Sequence, residues 1–331
     1  MGMSEPRISR RVLGGWVAAL GAGLTGLPLA AQTPGASPAT TAEWSRVDAR
    51  GITVSLPQRP TRVVAQTFLA QSLHDFGYEV VGHFGVDNSV GEFQSTGDLD
   101  LAEIPFLGIF GSYDIEQFLA LETDLILDFS WGAGEEAAFW YLDEITLDQV
   151  ADIAPVFGIS MAGTSINDNI AFVRDLAAAL GADVETPEIL ADIEAYAEAA
   201  NALTAATETK PGIKVMALQG SAEQVFLANP AWHSDLIYFG ELGVTFTPFE
   251  VNEDGEPFWG VYSTEQLGIF PTDLYMPIGD LSSIGVWNTL PAVQAGQVTE
   301  WRFSTRVSYR GFAINLNELA TAIANASIVT E

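Results

Sequence analysis

The chain has 331 residues, is 48% hydrophobic and only 17% charged, and carries a formal net charge of −30. That size suits two medium domains with real cores, and the hydrophobic content argues against disorder over most of the length. The charge excludes nucleic acid as a partner, since phosphates would be repelled. The absence of cysteine excludes disulfides, thiolate metal sites, iron–sulfur clusters, a cysteine nucleophile and a lipid-modified N-terminal cysteine.

Arg7, Arg10 and Arg11 precede an apolar, Gly- and Ala-rich stretch from Val12 to Ala31, followed by a Pro/Thr/Ala-rich stretch. This is a signal-peptide layout. Ser9-Arg10-Arg11-Val12-Leu13 looks like a twin-arginine signal, which exports folded proteins; an ordinary secretory signal with two adjacent arginines is the competing reading. The expectation is a signal peptide over 1–31, a flexible linker over 32–45, and a soluble periplasmic protein that is not a lipoprotein.

A short strand-like run, GITVSLP, opens the folded part. RVVAQ (62–66) is an apolar strand, residues 67–77 a short helix ended by Gly77, and EVVGHFG the next strand. This is the β-loop-α-β unit of a parallel or mixed α/β sheet. IEQFLALE and TDLILDF supply another helix and strand. SWGAGEEAAFWYLDEI reads as a Gly-containing loop followed by a helix, and LDQVADIAPVFGIS as one more helix and strand. Residues 165–182 form a strong helix, with Ser165 or Asn167 as its cap and Ile170, Val173, Leu176, Ala177 and Leu180 as an apolar stripe. A second helix begins at Pro187, which suits a first-turn position. Beyond a turn at 208–212 the alternation resumes: strand IKVMALQG, loop NPAWHSD, helix LIYFGELG, helix NTLPAVQAG, strand QVTEWRF, and a closing helix from about Gly311.

Two stretches echo one another. PFLGIFGSYDIEQFLALETDLIL (105–127) and PFWGVYSTEQLGIFPTDLYM (257–276) both begin Pro-Phe-x-Gly-apolar-aromatic. Both reach a Glu-Gln pair, and both place Thr-Asp-Leu so that Glu116 to Asp124 and Glu265 to Asp273 are each eight positions. The fold class expected is therefore α/β: two α/β lobes joined by one long α-helix, with a ligand cleft between them. The expected boundaries are an N-terminal lobe over 46–163, a linking helix over 164–182 and a C-terminal lobe over 183–331. Matched positions in the lobes would carry a Pro-Phe-x-Gly loop, an exposed helix start with a Glu, and a core strand.

In open α/β sheets ligands sit beyond the carboxyl ends of strands. Phe68, Phe110, Trp131, Trp232, Trp259 and Tyr262 lie in or beside such loops, either as cleft walls or as core and lid packing. Aromatic walls supply contact area with little entropy loss. Arg302, Arg306 and Arg310 cluster in WRFSTRVSYRGF, in a chain where basic residues are scarce. They read as donors to an anionic or carbonyl-rich ligand, or as solvated side chains. The three histidines, His74, His83 and His233, show no His-x-His or HExxH spacing, so no metal site and no cofactor is expected. No GxSxG and no GK[ST] phosphate loop occurs, so no enzyme is expected either.

The order of elements resembles the periplasmic substrate-binding proteins of ATP-driven iron–siderophore, haem and cobalamin importers. The residues that carry the likeness are PQRPTRVVAQTFLAQSLHDFGYEVVG, LGIFGSYDIEQFLALETDLIL, DIAPVFGIS and, most specifically, WNTLPAVQAGQV. PFWGVYSTEQL is most similar to the ferric hydroxamate-binding branch, where a Phe-Trp-Gly segment puts its Trp in the ligand cleft. That likeness implies ligand contact for Trp259, for Phe68 in the first βα loop, and for an aromatic near Trp131. One departure stands out: the branch has an Arg in the loop before its NLE-type helix start, and this sequence has Phe110 in about that place. The resemblance further implies capture of a ferric siderophore of hydroxamate type, with Arg306 or Arg310 and Tyr309 on the oxygens of the chelate. It implies that Glu116 and Glu265 dock on an inner-membrane ABC permease with its ATPase, and that the protein works as a monomer. Its rivals are a haem or cobalamin binder of the same family, with His233 as an axial haem ligand, a twin-arginine-exported enzyme, and a binding protein that signals to a receptor.

Overall fold

The computed structural model describes residues 44–86, 99–132, 134, 137–251, 257–303 and 306–330; the signal peptide and most of the linker expected at the N-terminus lie outside them. Strands β1 (Trp44–Val47) and β2 (Thr53–Leu56) form an antiparallel hairpin of their own. The first lobe follows: β3 (Val63–Gln66), α1 (Thr67–Asp75), β4 (Gly82–Gly85), β5 (Phe106–Ile109), β6 (Ser112–Tyr113), α2 (Ile115–Ala120), β7 (Leu125–Trp131), β8 (Ala138–Phe139), α3 (Glu144–Ala151) and β9 (Val156–Ser160). Its seven-stranded sheet runs β6-β5-β4-β3-β7-β8, with β9 also on β7. The β4–β3, β3–β7 and β7–β9 pairs are parallel. Every residue of β3 is buried, as a central parallel strand covered on both faces requires. Strand order reverses at β3, so β3 and β7 flank the crevice in which such sheets bind ligands.

Two helices then carry the chain across. Helix α4 (Ile166–Leu180) buries the expected Ile170, Val173, Leu176, Ala177 and Leu180 stripe and stops at Gly181, whose φ of +106° only glycine adopts without strain. Helix α5 (Pro187–Thr209) is longer, 23 residues, with Pro187 in its first turn and the Thr186 hydroxyl accepting the Ile189 amide. The helix expected over 164–182 is α4, and the longer α5 follows it and leads directly into the second sheet.

The second lobe comprises β10 (Lys214–Gly220), β11 (Gln224–Ala228), α6 (Ser234–Glu241), β12 (Thr245–Phe246), β13 (Trp259–Ser263), β14 (Leu274–Pro277), α7 (Pro291–Gln294) and α8 (Tyr309–Asn325). Its five-stranded sheet is mixed: β10 pairs parallel with β12 and β14 but antiparallel with β11, which in turn pairs antiparallel with β13. The strand expected over 297–303 does not form. Its residues still bond along β14, with Gln297 and Thr299 on the backbone of Tyr275 and the Trp301 amide on the Pro277 carbonyl, and the chain then runs toward the first lobe.

The Pro-Phe-x-Gly repeats are strands, β5 and β13, rather than loops. Their glycines serve different needs. At Gly108 φ is +111° and a Cβ would lie 2.2 Å from the Ser112 carbonyl, whereas a Cβ on Gly260 would strike the Phe249 ring at 2.8 Å. The repeated aspartates do the same thing twice. Asp124 accepts the amides of Thr61 and Arg62 just before β3, and Asp273 accepts the amide of Lys214 at the start of β10.

One apolar core runs through both lobes, built from α1, α4, α5, α8 and the inner faces of β3, β7 and β10. The lobes are also tied by polar contacts. Arg306 donates to both carboxylate oxygens of Asp75 at 2.9 Å, the Ser308 hydroxyl donates to Asp75 at 2.5 Å, and the Val307 amide donates to the Ser72 hydroxyl at 2.7 Å. Burial pushes the Asp75 carboxyl above its ordinary range, against the pull of the Arg306 guanidinium and the Ser308 hydrogen bond.

Candidate ligand-binding site

An aromatic cluster sits where the two lobes face each other. The first lobe brings Trp131, the last residue of β7, and Trp140, just beyond β8. The second lobe brings Trp232 and His233 from the β11–α6 loop, Phe258 and Trp259 at the entry to β13, and Trp301 and Phe303 from the segment leading to α8. Trp131 meets Phe258 at 5.9 Å between ring centroids, and Trp140 meets Phe258 at 6.0 Å and Phe303 at 5.9 Å, so the contact crosses the lobes. Trp259 lies 5.9 Å from Trp301 and 4.9 Å from the His233 ring. Most of these pairs are edge-to-face, the arrangement the ring quadrupoles favour. The backbone supports the same junction: the Gly163 amide donates to the Trp232 carbonyl at 2.8 Å, and Ala162 bridges His233.

Local chemistry explains how these side chains are presented. Asp128, at the middle of β7, accepts the amides of Tyr141 and Leu142 at 3.1 and 2.9 Å and so pins the segment that carries Trp140. Complete burial pushes its carboxyl up to about 8, despite three backbone donors. His233 is 1% exposed, and its Nε2 lies 3.0 Å from the Phe258 carbonyl. A carbonyl only accepts, so Nε2 carries the proton. Burial lowers its pKa to about 4, which keeps the ring neutral near pH 7.

Of the residues expected from the sequence, Trp131, Trp232 and Trp259 are brought into this cluster. The others are placed elsewhere. Gln66 caps α1 directly at the end of β3, accepting the Phe68 amide at 2.7 Å. The helix therefore starts without a loop, and Phe68 turns into the core at 1% exposure. Phe110 stands 60% exposed at the tip of the β5–β6 hairpin. Tyr262 is three residues from Trp259 on β13 and points to the opposite face, where its ring meets Phe270 at 4.9 Å and its hydroxyl donates to the Glu250 carbonyl. Arg306 is 4% exposed in its ion pair with Asp75. Tyr309 packs between Phe76 and Tyr196, and Arg310 pairs with Asp192 at 2.9 Å. Glu116 and Glu265 are exposed in the first turns expected for them, the latter beside a capping box formed by Ser263 and Gln266.

Trp140, Phe258, Trp301 and Phe303 were not singled out from the sequence. The alternation Trp301-x-Phe303 was the available signal, since two aromatics at period 2 on an extended segment share one side. The positive groups nearby are all engaged. Arg302 bridges Glu300 at 3.2 Å and Glu318 at 2.9 Å, and Arg50 pairs with Asp48 at 2.6 Å while lying 4.6 Å over the Phe139 ring. Among the described residues, the junction is a neutral aromatic surface.

Two lobes, a helical connection and an aromatic junction between them define a substrate-binding protein of the two-lobed α/β class. No protein-family model matches the chain, and no curated protein matches it. Solved structures do. DesE, a ferric-siderophore receptor protein from Streptomyces coelicolor, is 31% identical, with a TM-score of 0.79 over 86% of this chain and 99% of its own. FhuD from Vibrio cholerae, a siderophore-binding protein solved with Fe3+-Desferal, is 19% identical, with a TM-score of 0.57 over 81% of this chain and 97% of its own. The siderophore periplasmic binding protein of the fuscachelin gene cluster of Thermobifida fusca is 20% identical, with a TM-score of 0.57 over 80% and 97%. The latter two share the fold. The likeness to DesE is of another order, and the chain belongs to the family of siderophore-binding proteins of ABC iron importers. Those relatives are binding proteins and not enzymes.

Proposed function

We propose that this protein captures a ferric siderophore of hydroxamate type in the cleft between its lobes and delivers it to an inner-membrane ABC permease. The observation that carries the ligand class is the neutral aromatic junction. A ferric trihydroxamate is neutral or singly positive, and large apolar faces surround its oxygens. Aromatic rings bind such faces without a counter-charge. A ferric catecholate carries three negative charges; it would meet a chain of net charge −30 whose nearby guanidinium groups already hold carboxylates. Haem and cobalamin are less well served, because His233 is buried and its Nε2 proton is committed to Phe258.

The relatives' roles support a location outside the cytoplasm. Export through the twin-arginine signal at Ser9–Leu13 and the absence of a lipid anchor, given no cysteine, complete that reading. Glu116 and Glu265, one exposed on each lobe, dock on paired permease subunits, and the iron enters only as cargo within its chelator. The test is a tryptophan-fluorescence titration of the protein with ferrioxamine, ferrichrome, ferric citrate, a ferric catecholate, haem and cobalamin. Saturable quenching by a hydroxamate is the expected result. Tight response to haem or cobalamin alone overturns the ligand class while leaving the fold reading intact.

A further inference from the structure

The rings of the junction stand in two layers. Trp131, Trp140, Trp232, Trp259 and Phe303 are half-buried, whereas His233, Trp301 and Phe258 behind them are 1%, 2% and 5% exposed. A ligand in the cleft reaches the first layer only, so the tilt of those rings is set by the second. Trp301 is central to that backing: it meets Trp259 at 5.9 Å, Phe303 at 5.2 Å and the His233 ring at 5.1 Å.

Trp301 has one polar tether. Its indole N–H donates to Oδ2 of Asp235 at 2.6 Å, and Oδ1 of the same carboxylate accepts the Leu236 amide at 2.9 Å. Asp235 also borders two small cavities, of about 40 Å³ and about 10 Å³. The tether is also expensive to keep. Burial pushes the Asp235 carboxyl up to about 6, so its ionised form near pH 7 works against folding.

We infer that Asp235 is a positioning residue for ligand capture, which fixes Trp259 and Phe303 through Trp301 without itself touching the ligand. This rests on reading the aromatic junction as the ligand site. An asparagine at 235 offers one oxygen to two donors, so either the indole or the Leu236 amide loses its partner. A phenylalanine at 301 keeps a ring but removes the donor.

The experiment measures ferrioxamine affinity, melting temperature and the indole N–H resonance of Trp301 by NMR, in full-chain wild type, Asp235→Asn, Trp301→Phe and Trp259→Ala. Asp235→Asn and Trp301→Phe are expected to bind about tenfold more weakly, the scale of one charge-assisted hydrogen bond. Asp235→Asn is expected to shift the Trp301 resonance and to lose affinity out of proportion to any change in melting temperature. Unchanged affinity in Asp235→Asn and Trp301→Phe beside a weakened Trp259→Ala sinks the role of Asp235 alone. So does a loss of affinity matched by a fall in melting temperature in both. Trp259→Ala binding as tightly as wild type, or wild type that does not bind ferrioxamine, sinks the ligand-site reading and the positioning role with it.

Discussion

The two lobes use one plan and arrive at different products. In each, a Pro-Phe-x-Gly strand leads to a helical turn with an exposed glutamate, then to an aspartate that clamps the amide at the start of the lobe's first strand. Yet the first sheet is parallel through its centre, and the second turns antiparallel at β11 and β13. The first lobe contributes Trp131 and Trp140 to the junction; the second contributes all the remaining rings. The repeated segments therefore build scaffold, and apart from Phe258 and Trp259 the aromatic junction lies in stretches that do not repeat. The asymmetry has a physical source. The antiparallel β11–β13 pair sets Ala228 opposite Trp259, which brings the Trp232–His233 loop beside the Phe258–Trp259 entry. In the first lobe the antiparallel β7–β8 pair sets Ala138 opposite Trp131 and brings only Trp140 beside it.

The largest effect comes from the contact that belongs to neither lobe alone. Arg306→Ala leaves Asp75 buried without its partner, and a loss of about 3–5 kcal/mol is expected in urea denaturation; a loss below about 1 kcal/mol would mean that the lobes hold together by packing alone.

Next comes the matched pair of clamps. Asp273 is fully buried and accepts the amides of Lys214, Val329 and Thr330 as well as the Thr330 hydroxyl, whereas Asp124 accepts two amides at a partly exposed site. Asp273→Ala is expected to cost about 3 kcal/mol and Asp124→Ala about 1 kcal/mol. Equal costs would break the contrast between the clamps.

The lobes should also respond to pH in opposite directions. Asp128 in the first lobe has a raised pKa, about 8 against an ordinary 3.8. Its contribution is present below about 4 and lost as pH rises through about 8. His233 in the second has a lowered pKa, about 4 against 6.5, so its contribution is present above about 6.5 and lost as pH falls through about 4. Relative to wild type, Asp128→Asn should gain melting temperature toward pH 8 and His233→Gln should gain it toward pH 5. The same trend in both variants would overturn this contrast.

The smallest thermodynamic effect belongs to the exposed pair. Glu116→Gln and Glu265→Gln should leave melting temperature and ferrioxamine affinity unchanged and slow siderophore uptake in cells carrying the permease; normal uptake in the double variant removes them from docking.

Much of this was legible in one dimension because it is local. The apolar stripe of α4, the start of α5 at Pro187 and the echo of the two aspartates all depend on neighbours a few residues away. A signal of that range survives in sequence. Trp259 and Trp131 were legible from their place in or beside loops at the carboxyl ends of strands and from the resemblance to the hydroxamate-binding branch. What only the tertiary structure decided is the company each side chain keeps across the lobes. Arg306 and Asp75 are 231 positions apart, and nothing near either one announces that a charged arginine will be buried on the other. Phe68 and Tyr262 sit at plausible loop positions, but a helix cap at Gln66 and the two-residue period of β13 turn both away from the cleft. Trp301 is an ordinary aromatic in sequence, and it becomes the backing of the junction only because α6 delivers Asp235 to its indole nitrogen. Pattern and capping act along the chain; burial and pairing act through space, and the aromatic junction is made by the second kind.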